Sequence, residues 1–378
     1  MLKHNTDFPH VVLVGHPFAP IGRGEDVRSA FRAFRAAGVS APVLDIYKMY
    51  EPWSEFSDSL TTSLSQDINI FFINGDEVEP VIKHLGGSLP AGSYNIVAPV
   101  WELSIYPEAW AKQLERFDEI WVASTFNLHS IQSCVSKPVH YIPWSSQVDI
   151  VSFLGRQYFG IPEGAYIFLF AFDFLSSIHR KNPYAVLKAF EKLVRAHPQH
   201  DSYLVLKLNH SQQKPEEYQH FLSCIEEFKD RIVIIDKTLS DNEMKNLIRC
   251  SDCFISLHRS EGFGRGLSEA MYLGKPTIAT GYSGNTDFMS SENSFLVNYQ
   301  LVPVETDAYP YGENQFWSEA NIDQAFNYML KLLSNPKLGF NIGKKASKNV
   351  RKTLSYSTIG EKYREYITHI NKNMNSVS

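Results

Sequence analysis

One pattern repeats along the whole chain: a short apolar run, a turn, then a stretch that is amphipathic at helical spacing. In the first half the apolar runs fall at residues 11–14, 41–44, 68–73, 94–97, 119–123 and 140–142. Amphipathic stretches at 25–37, 77–85, 107–115 and 124–136 lie between them. The second half repeats the scheme, with runs at 166–171, 203–208, 231–235, 253–257, 277–279 and 295–297. Its amphipathic stretches lie at 182–196, 215–228, 240–250, 266–273, 321–334 and 337–352. Apolar strands alternating with helices predict parallel sheets covered on both faces. A chain of 378 residues also exceeds what one hydrophobic core usually organises. The expectation is an α/β protein of two Rossmann-like, doubly wound domains. The pattern breaks at 143–149 (PWSSQVD), which sets the domains at 1–146 and 147–352, followed by a closing amphipathic helix within 353–378. Two such domains imply a ligand cleft between them, at the carboxyl ends of the strands.

Composition removes several classes. No run reaches the roughly 18 to 20 apolar residues that a membrane span needs. The opening MLKHNTDFPHVVLVG enters its first strand without a signal-peptide core, so a cytoplasmic location is expected, extending to the inner face of the membrane. Residues 1–150 hold 10 Lys/Arg against 17 Asp/Glu, and the whole chain carries a formal net charge of −5. That balance disfavours nucleic acid and leaves at most weak peripheral contact with an anionic membrane. Arg28, Arg32 and Arg35 share one helical face, read as solvated. Four cysteines are too few for a disulfide framework. The Cys250-x-x-Cys253 spacing lacks the second ligand pair a zinc site needs, so a helix end and a strand start are expected there.

Residues 258–289, HRSEGFGRGLSEAMYLGKPTIATGYSGNTDFM, carry the chemistry. Glu261 and Glu269 flank the loop Gly262-Phe263-Gly264-Arg265-Gly266, which follows an apolar run and opens a helix. Glycines admit backbone N–H groups close to an anion, and a helix N-terminus adds about half a positive charge. A carboxylate on each side suits the hydroxyls of a sugar and of a ribose. A second basic cluster, His179-Arg180-Lys181, lies in a strand-to-helix connection just before Asn182-Pro183, and Lys207 ends the next strand. In the first half, Gly22-Arg23-Gly24 precedes a helix, a weak signal whose usual meaning is a turn.

The string EGFGRGLSEAM followed by GKPTIATGYSGNTDF resembles the donor-site signature of the family-4 retaining glycosyltransferases, which have the GT-B fold. The resemblance implies a terminal helix at 353–378 crossing back to the N-terminal domain, and hexosyl transfer from a nucleotide-diphosphate sugar, without a metal or other cofactor, to a glycan or lipid-linked glycan. It assigns Glu261 to the sugar, with backbone around Gly262, Phe263 and Gly264 on the sugar hydroxyls. Gly266 and Leu267 go to the distal phosphate, Glu269 to the ribose, and Lys237, Thr238 and Leu239 to the base. Lys181 matches the family's lysine before the helix. The family's arginine after the preceding strand is missing, and Arg180 or Lys207 is the candidate replacement. Gly22 and Gly24 are expected at the diphosphate, assisted by Arg23, and Asn285 at the sugar.

A family histidine in the first domain is also absent. Trp101 and Glu102 stand in its place, and they and His16 are the acceptor-side candidates. Plain alternatives stay open for three residues: a satisfied loop histidine for His16, surface charge for Lys207 and turn preference for Asn285. The segment 281–317 looks most like bacterial enzymes building surface polysaccharides such as O-antigen, with mannose or rhamnose donors. A nucleotide-sugar epimerase of the same fold, a glycan phosphorylase and a non-catalytic sugar-binding protein remain as other readings.

Overall fold

The computed structural model describes residues 8–377. They divide into two units, residues 8–147 with 352–377 and residues 148–351. In the first unit the strands are β1 (Val11–Gly15), β2 (Val43–Asp45), β3 (Ile68–Phe71), β4 (Tyr94–Val97), β5 (Glu119–Val122) and β6 (Val139–Tyr141). Its helices are α1 (Gly22–Ala36), α2 (Val78–His84), α3 (Glu108–Leu114) and α4 (Thr125–Gln132). The sheet runs β2-β1-β3-β4-β5-β6, and every pairing is parallel.

The second unit opens with β7 (Tyr166–Asp173), the four-residue turn α5 (Ile178–Lys181), α6 (Pro183–Ala196) and β8 (Ser202–Asn209). It continues through α7 (Pro215–Ser223), β9 (Ile232–Asp236), α8 (Asp241–Cys250), β10 (Cys253–Ser256) and α9 (Arg265–Tyr272). It closes with β11 (Thr277–Thr280), β12 (Phe295–Val297), β13 (Tyr299–Pro303), β14 (Phe316–Ala320), α10 (Ile322–Ser334) and α11 (Pro336–Thr353), whose last two residues fall past the division. Six strands form a parallel sheet in the order β12-β11-β10-β7-β8-β9.

In both sheets the order reverses beside the first strand, between β1 and β3 and between β7 and β10. Loops leaving neighbouring strands diverge at such a point and open a crevice at the strands' carboxyl ends. The second sheet rests on an alternating aromatic row, Phe168, Phe170, Phe172 and Phe174, packed against Val186, Leu187, Phe190 and Leu193 of α6. Burying one such phenylalanine contributes about 3 to 5 kcal/mol, judged by truncation to alanine.

Three features differ from the sequence expectation. The strand pair β13–β14, an antiparallel ribbon separate from the main sheet, was not anticipated. Helix α1 begins at Gly22 rather than residue 25, so Gly22, Arg23 and Gly24 form its first turn. Arg28 and Arg32 are buried, not solvated: Arg28 Nε donates to Glu25 at 2.8 Å, and Arg32 meets Glu25 at 3.3 Å and Glu55 at 2.5 Å. Only Arg35 of that row keeps substantial exposure. The last helix, α12 (Tyr356–Val377), packs on α1, where Tyr363 stacks on Phe34 and on Trp121.

Glu25 meets two buried guanidinium groups at once, and its removal takes the ion-pair partner of Arg28 and leaves Arg32 to Glu55. Glu25→Ala is expected to cost the first unit about 3 to 5 kcal/mol, read by urea unfolding. A loss below about 1 kcal/mol, the range of a solvated pair, would show that the cluster is ornamental.

Candidate functional site

The loops diverging at the β7/β10 reversal carry Arg180, Lys181 and Glu261. Past β7, Asp173 caps the chain by accepting the Leu175 N–H at 2.9 Å. Ser177, at φ 63°, turns the backbone into α5, and its hydroxyl accepts the Arg180 N–H at 3.3 Å. Asn182, left-handed at φ 51°, ends that turn, and Pro183 starts α6 with a φ already suited to a helix. Arg180 and Lys181 therefore sit on a short, tightly capped turn.

Past β10 the chain runs through His258, Arg259 and Ser260 to Glu261. The Glu261 carboxylate lies 2.5 Å from Lys181 Nζ and 3.5 Å from Arg180 Nη1, and its side chain is 13% exposed. Arg180 also donates to the Ser260 carbonyl at 3.0 Å. The Glu261 backbone is pinned by the turn after β11: its N–H donates to Ser283 Oγ at 2.7 Å, and its carbonyl accepts from Gly284 at 2.9 Å. Burial alone would raise this carboxyl, but Lys181 and then Arg180 outweigh it and hold the value at about 2. The folded value lies below the unfolded one. Ionised Glu261 thus contributes stability above the ordinary carboxylate range that is lost as the pH falls toward about 2.

Beneath Glu261 lies a polar network that the sequence reading missed. His258 is fully buried and holds Ser256 Oγ at 3.1 Å through Nδ1 and Asn285 Oδ1 at 2.9 Å through Nε2. Asn285 donates its amide to the Thr280 carbonyl at 3.0 Å. Its oxygen therefore accepts from Nε2–H, and Nδ1 accepts from the serine hydroxyl. Burial pushes His258 down, which favours this neutral form. Asn285, expected at the sugar, is instead a buried strut between β11 and the loop after β10. The only sequence signal for His258 is its place three residues before Glu261.

The glycine loop leads into α9. Gly264 is the N-cap at φ 92°, a left-handed conformation that explains glycine there. Phe263 is buried against Phe288 with ring centroids 5.3 Å apart, so its side chain serves packing. Leu267, expected to offer its amide to a phosphate, donates it to the Gly264 carbonyl at 3.1 Å. Gly266 and the partly exposed Glu269 lie three residues apart on α9.

Along the same edge, Lys207 is buried rather than a surface charge. Its amine donates to the Leu208 carbonyl and to Asn209 Oδ1, each at 2.6 Å. Burial lowers it to about 8, although Asp236 and Asp173 partly oppose the shift. In the turn after β9, Lys237 and Thr238 are exposed and Leu239 is buried.

At the β1/β3 reversal of the first unit, His16 pairs with Glu77 at 3.1 Å and stacks on Tyr47. Arg23 donates to Asp26 at 3.1 Å and to the Ala98 carbonyl at 2.9 Å. Gly22 is exposed, whereas Gly24 is buried; a Cβ there would meet the Ala19 carbonyl at 2.2 Å, so close packing within its own loop explains the residue. Trp101 drops out of the acceptor set: it is 2% exposed, packed by Tyr106 and Trp110, and its indole donates to the Ile105 carbonyl. Glu102 beside it keeps partial exposure.

This constellation sits in a region with a known relationship. Residues 156–349 match the family described as "Glycosyl transferases group 1". The chain belongs to that family. A trehalose synthase from Pyrococcus horikoshii is 27% identical over 128 residues, a match covering 34% of this chain and 26% of that protein. The chain thus spans about a quarter of that relative's length.

Solved structures share the fold along nearly the whole chain. Sucrose-phosphate synthase from Thermosynechococcus elongatus aligns with a TM-score of 0.72 at 14% identity, covering 98% of this chain and all of that one. HepE from Anabaena, solved in complex with UDP-glucose, aligns at 0.69 and 12% identity over 96% of this chain and all of that one. A glycosyltransferase from Rickettsia africae aligns at 0.67 and 14% identity, over 97% and all of the respective chains. The α/β architecture of two Rossmann-like units, of GT-B type, is what they share with this protein.

If Lys181 offsets the burial of Glu261, its removal should let burial prevail. Lys181→Ala is expected to raise the Glu261 carboxyl by about one unit or more, followed by 13C NMR of glutamate-labelled protein. An unmoved titration would show that the ion pair does not govern this carboxylate.

Proposed function

We propose that the protein is a retaining glycosyltransferase that moves a hexosyl group from a nucleotide-diphosphate sugar to a glycan or lipid-linked glycan, without a metal ion. The observation that carries this reading is the buried Glu261 carboxylate held against Lys181 and Arg180, beside the amino end of α9. Transfer breaks the bond between sugar C1 and a diphosphate oxygen, so positive charge grows on the ring and negative charge on the leaving group. Fixed donors aimed at such charge are worth roughly 3 to 4 kcal/mol each.

Lys181 and Arg180 are available for the diphosphate, with the α9 amino end near Gly266 and with Lys207 as a further cation. Glu261 is available for the sugar hydroxyls and the ring charge, with the backbone of Gly262, Phe263 and Gly264. Glu269 takes the ribose, and the turn Lys237-Thr238-Leu239 takes the base. The acceptor hydroxyl attacks C1 from the face the diphosphate leaves. A new C1–O bond forms as the old one breaks, and the departing phosphate oxygen takes the hydroxyl proton. His16 and Glu102 are the first unit's candidates for the acceptor, and Gly22 and Arg23 its candidates for the donor.

Membership in the glycosyl transferases group 1 family supports the reaction class. A structural neighbour solved with UDP-glucose supports a nucleotide-sugar donor. Mannose or rhamnose is the favoured sugar, and bacterial surface polysaccharide, including O-antigen, the favoured product. The work would be done in the cytoplasm, with at most weak contact at the membrane's inner face. Among the described residues, no helix is long and apolar enough to cross a membrane.

Thermal-shift screening against UDP-, GDP- and dTDP-sugars identifies the donor, since a ligand that binds only the folded state raises the melting temperature. With that donor, Glu261→Ala should lower turnover by about 100-fold or more, whereas Glu269→Ala should mainly raise the donor KM, by about tenfold. Small and equal effects of both changes would overturn the role assignment.

A further inference from the structure

The ribbon β13–β14 inserts between β12 and α10 and reaches the turn that carries the two cations. From the geometry we infer that Glu319, on β14, acts with Arg259 as a positioning brace that sets Arg180 and Lys181 against Glu261. The inference deepens the reading of this site as a nucleotide-sugar donor site and rests on it for its functional meaning.

A single carboxylate holds both ends of the four-residue turn α5. Its Oε2 accepts from Arg259 Nε at 2.8 Å and Nη2 at 2.5 Å. The third nitrogen of that guanidinium, Nη1, donates to the His179 carbonyl inside the turn at 2.9 Å. The other oxygen, Oε1, accepts from Asn182 Nδ2 at 3.2 Å, where the backbone leaves the turn in its left-handed conformation. Asparagine tolerates left-handed backbone better than most residues. At Asn182 the N–H closes the turn on the Ile178 carbonyl at 2.9 Å, and Glu319 holds the side chain. The Arg259 N–H closes the loop by donating to the Arg180 carbonyl at 2.8 Å.

The brace is itself anchored. Arg259 lies over the buried Trp317 ring at 5.3 Å, and its carbonyl accepts from the Ser318 N–H at 3.0 Å and hydroxyl at 2.7 Å. The connection between the ribbon's two strands adds two contacts: Ser177 Oγ donates to the Ala308 carbonyl at 2.9 Å, and Arg180 stacks over Tyr309 at 5.7 Å. Three segments far apart in sequence therefore meet around α5. Lysine and arginine side chains lose much rotamer freedom when fixed, and a rigid base is what makes two of them converge on one carboxylate.

The sign of one measurement separates a brace from a bystander. If Glu319 acted only as a nearby negative charge, its removal would relieve repulsion and lower the Glu261 carboxyl. If it holds α5, its removal loosens Lys181 and Arg180 and the same carboxyl rises. The experiment follows Glu261 by 13C NMR in full-length glutamate-labelled protein, assigned by its loss in Glu261→Gln. Glu319→Ala should shift the titration upward, in the direction of Lys181→Ala, with the melting temperature changed by less than about 5 °C. Glu319→Gln, which keeps one acceptor, should fall between the unaltered protein and Glu319→Ala.

Should Glu319→Ala fail to fold, Arg259→Lys, which keeps the charge but lacks the fork that reaches both partners, must shift Glu261 upward instead. A titration that stays put or moves down in these variants overturns the inference. Calorimetric binding of UDP, GDP and dTDP to the unaltered protein is run alongside. Failure to bind any of the three defeats the donor-site reading, while the brace still stands or falls on the Glu261 titration.

Discussion

A carboxylate that water has nearly left depends on the cations that replace water. Glu261 occupies that position, and much of the second unit can be read as the means of keeping Lys181 and Arg180 beside it. Parallel strand order puts the β7 and β10 exits side by side, capped turns fix the two loops, and the Ser283–Gly284 turn clamps the glutamate backbone. A buried charge cluster of this kind adds little net stability, because the desolvation of each ion offsets the attraction between them. Its effect is geometric: two positive groups are held at a fixed place. Preorganisation of that sort removes the reorganisation a reacting centre would otherwise demand.

Much of this was legible in the sequence because the signals were local. A buried parallel strand needs only a run of apolar residues, so every strand of the two main sheets was anticipated within a few residues. The Glu261 loop was legible because its glycines, acids and helix start are adjacent in the chain. What was hidden depends on partners distant in sequence. Arg28 and Arg32 look solvated at helical spacing until Glu55, Tyr356 and Trp53 are seen around them. Lys207 looks like surface charge at a strand end, yet its amine is folded back onto its own strand's exit.

The ribbon β13–β14 was hidden for another reason. Its paired segments are separated by a turn-rich stretch without a two-residue hairpin signature, and Trp317 and Ser318 are buried against loops of the site rather than a sheet face. Asn285 shows the converse error. An asparagine in the turn Ser283-Gly284-Asn285 invites a ligand role, whereas its amide spans a gap between two backbone segments and the His258 ring. Residues that hold a site together and residues that touch a ligand share the same chemistry. Only the direction of the side chain separates them.

The first unit is assembled from two stretches of chain that are not contiguous, with α12 packed on α1. During synthesis on a ribosome, Phe34 and Trp121 emerge long before Tyr363, the residue that stacks on both. The nascent first sheet must therefore wait, with that flank uncovered, until more than two hundred further residues have been added. Vectorial folding can finish the second unit first, and the amino-terminal unit becomes the last to mature.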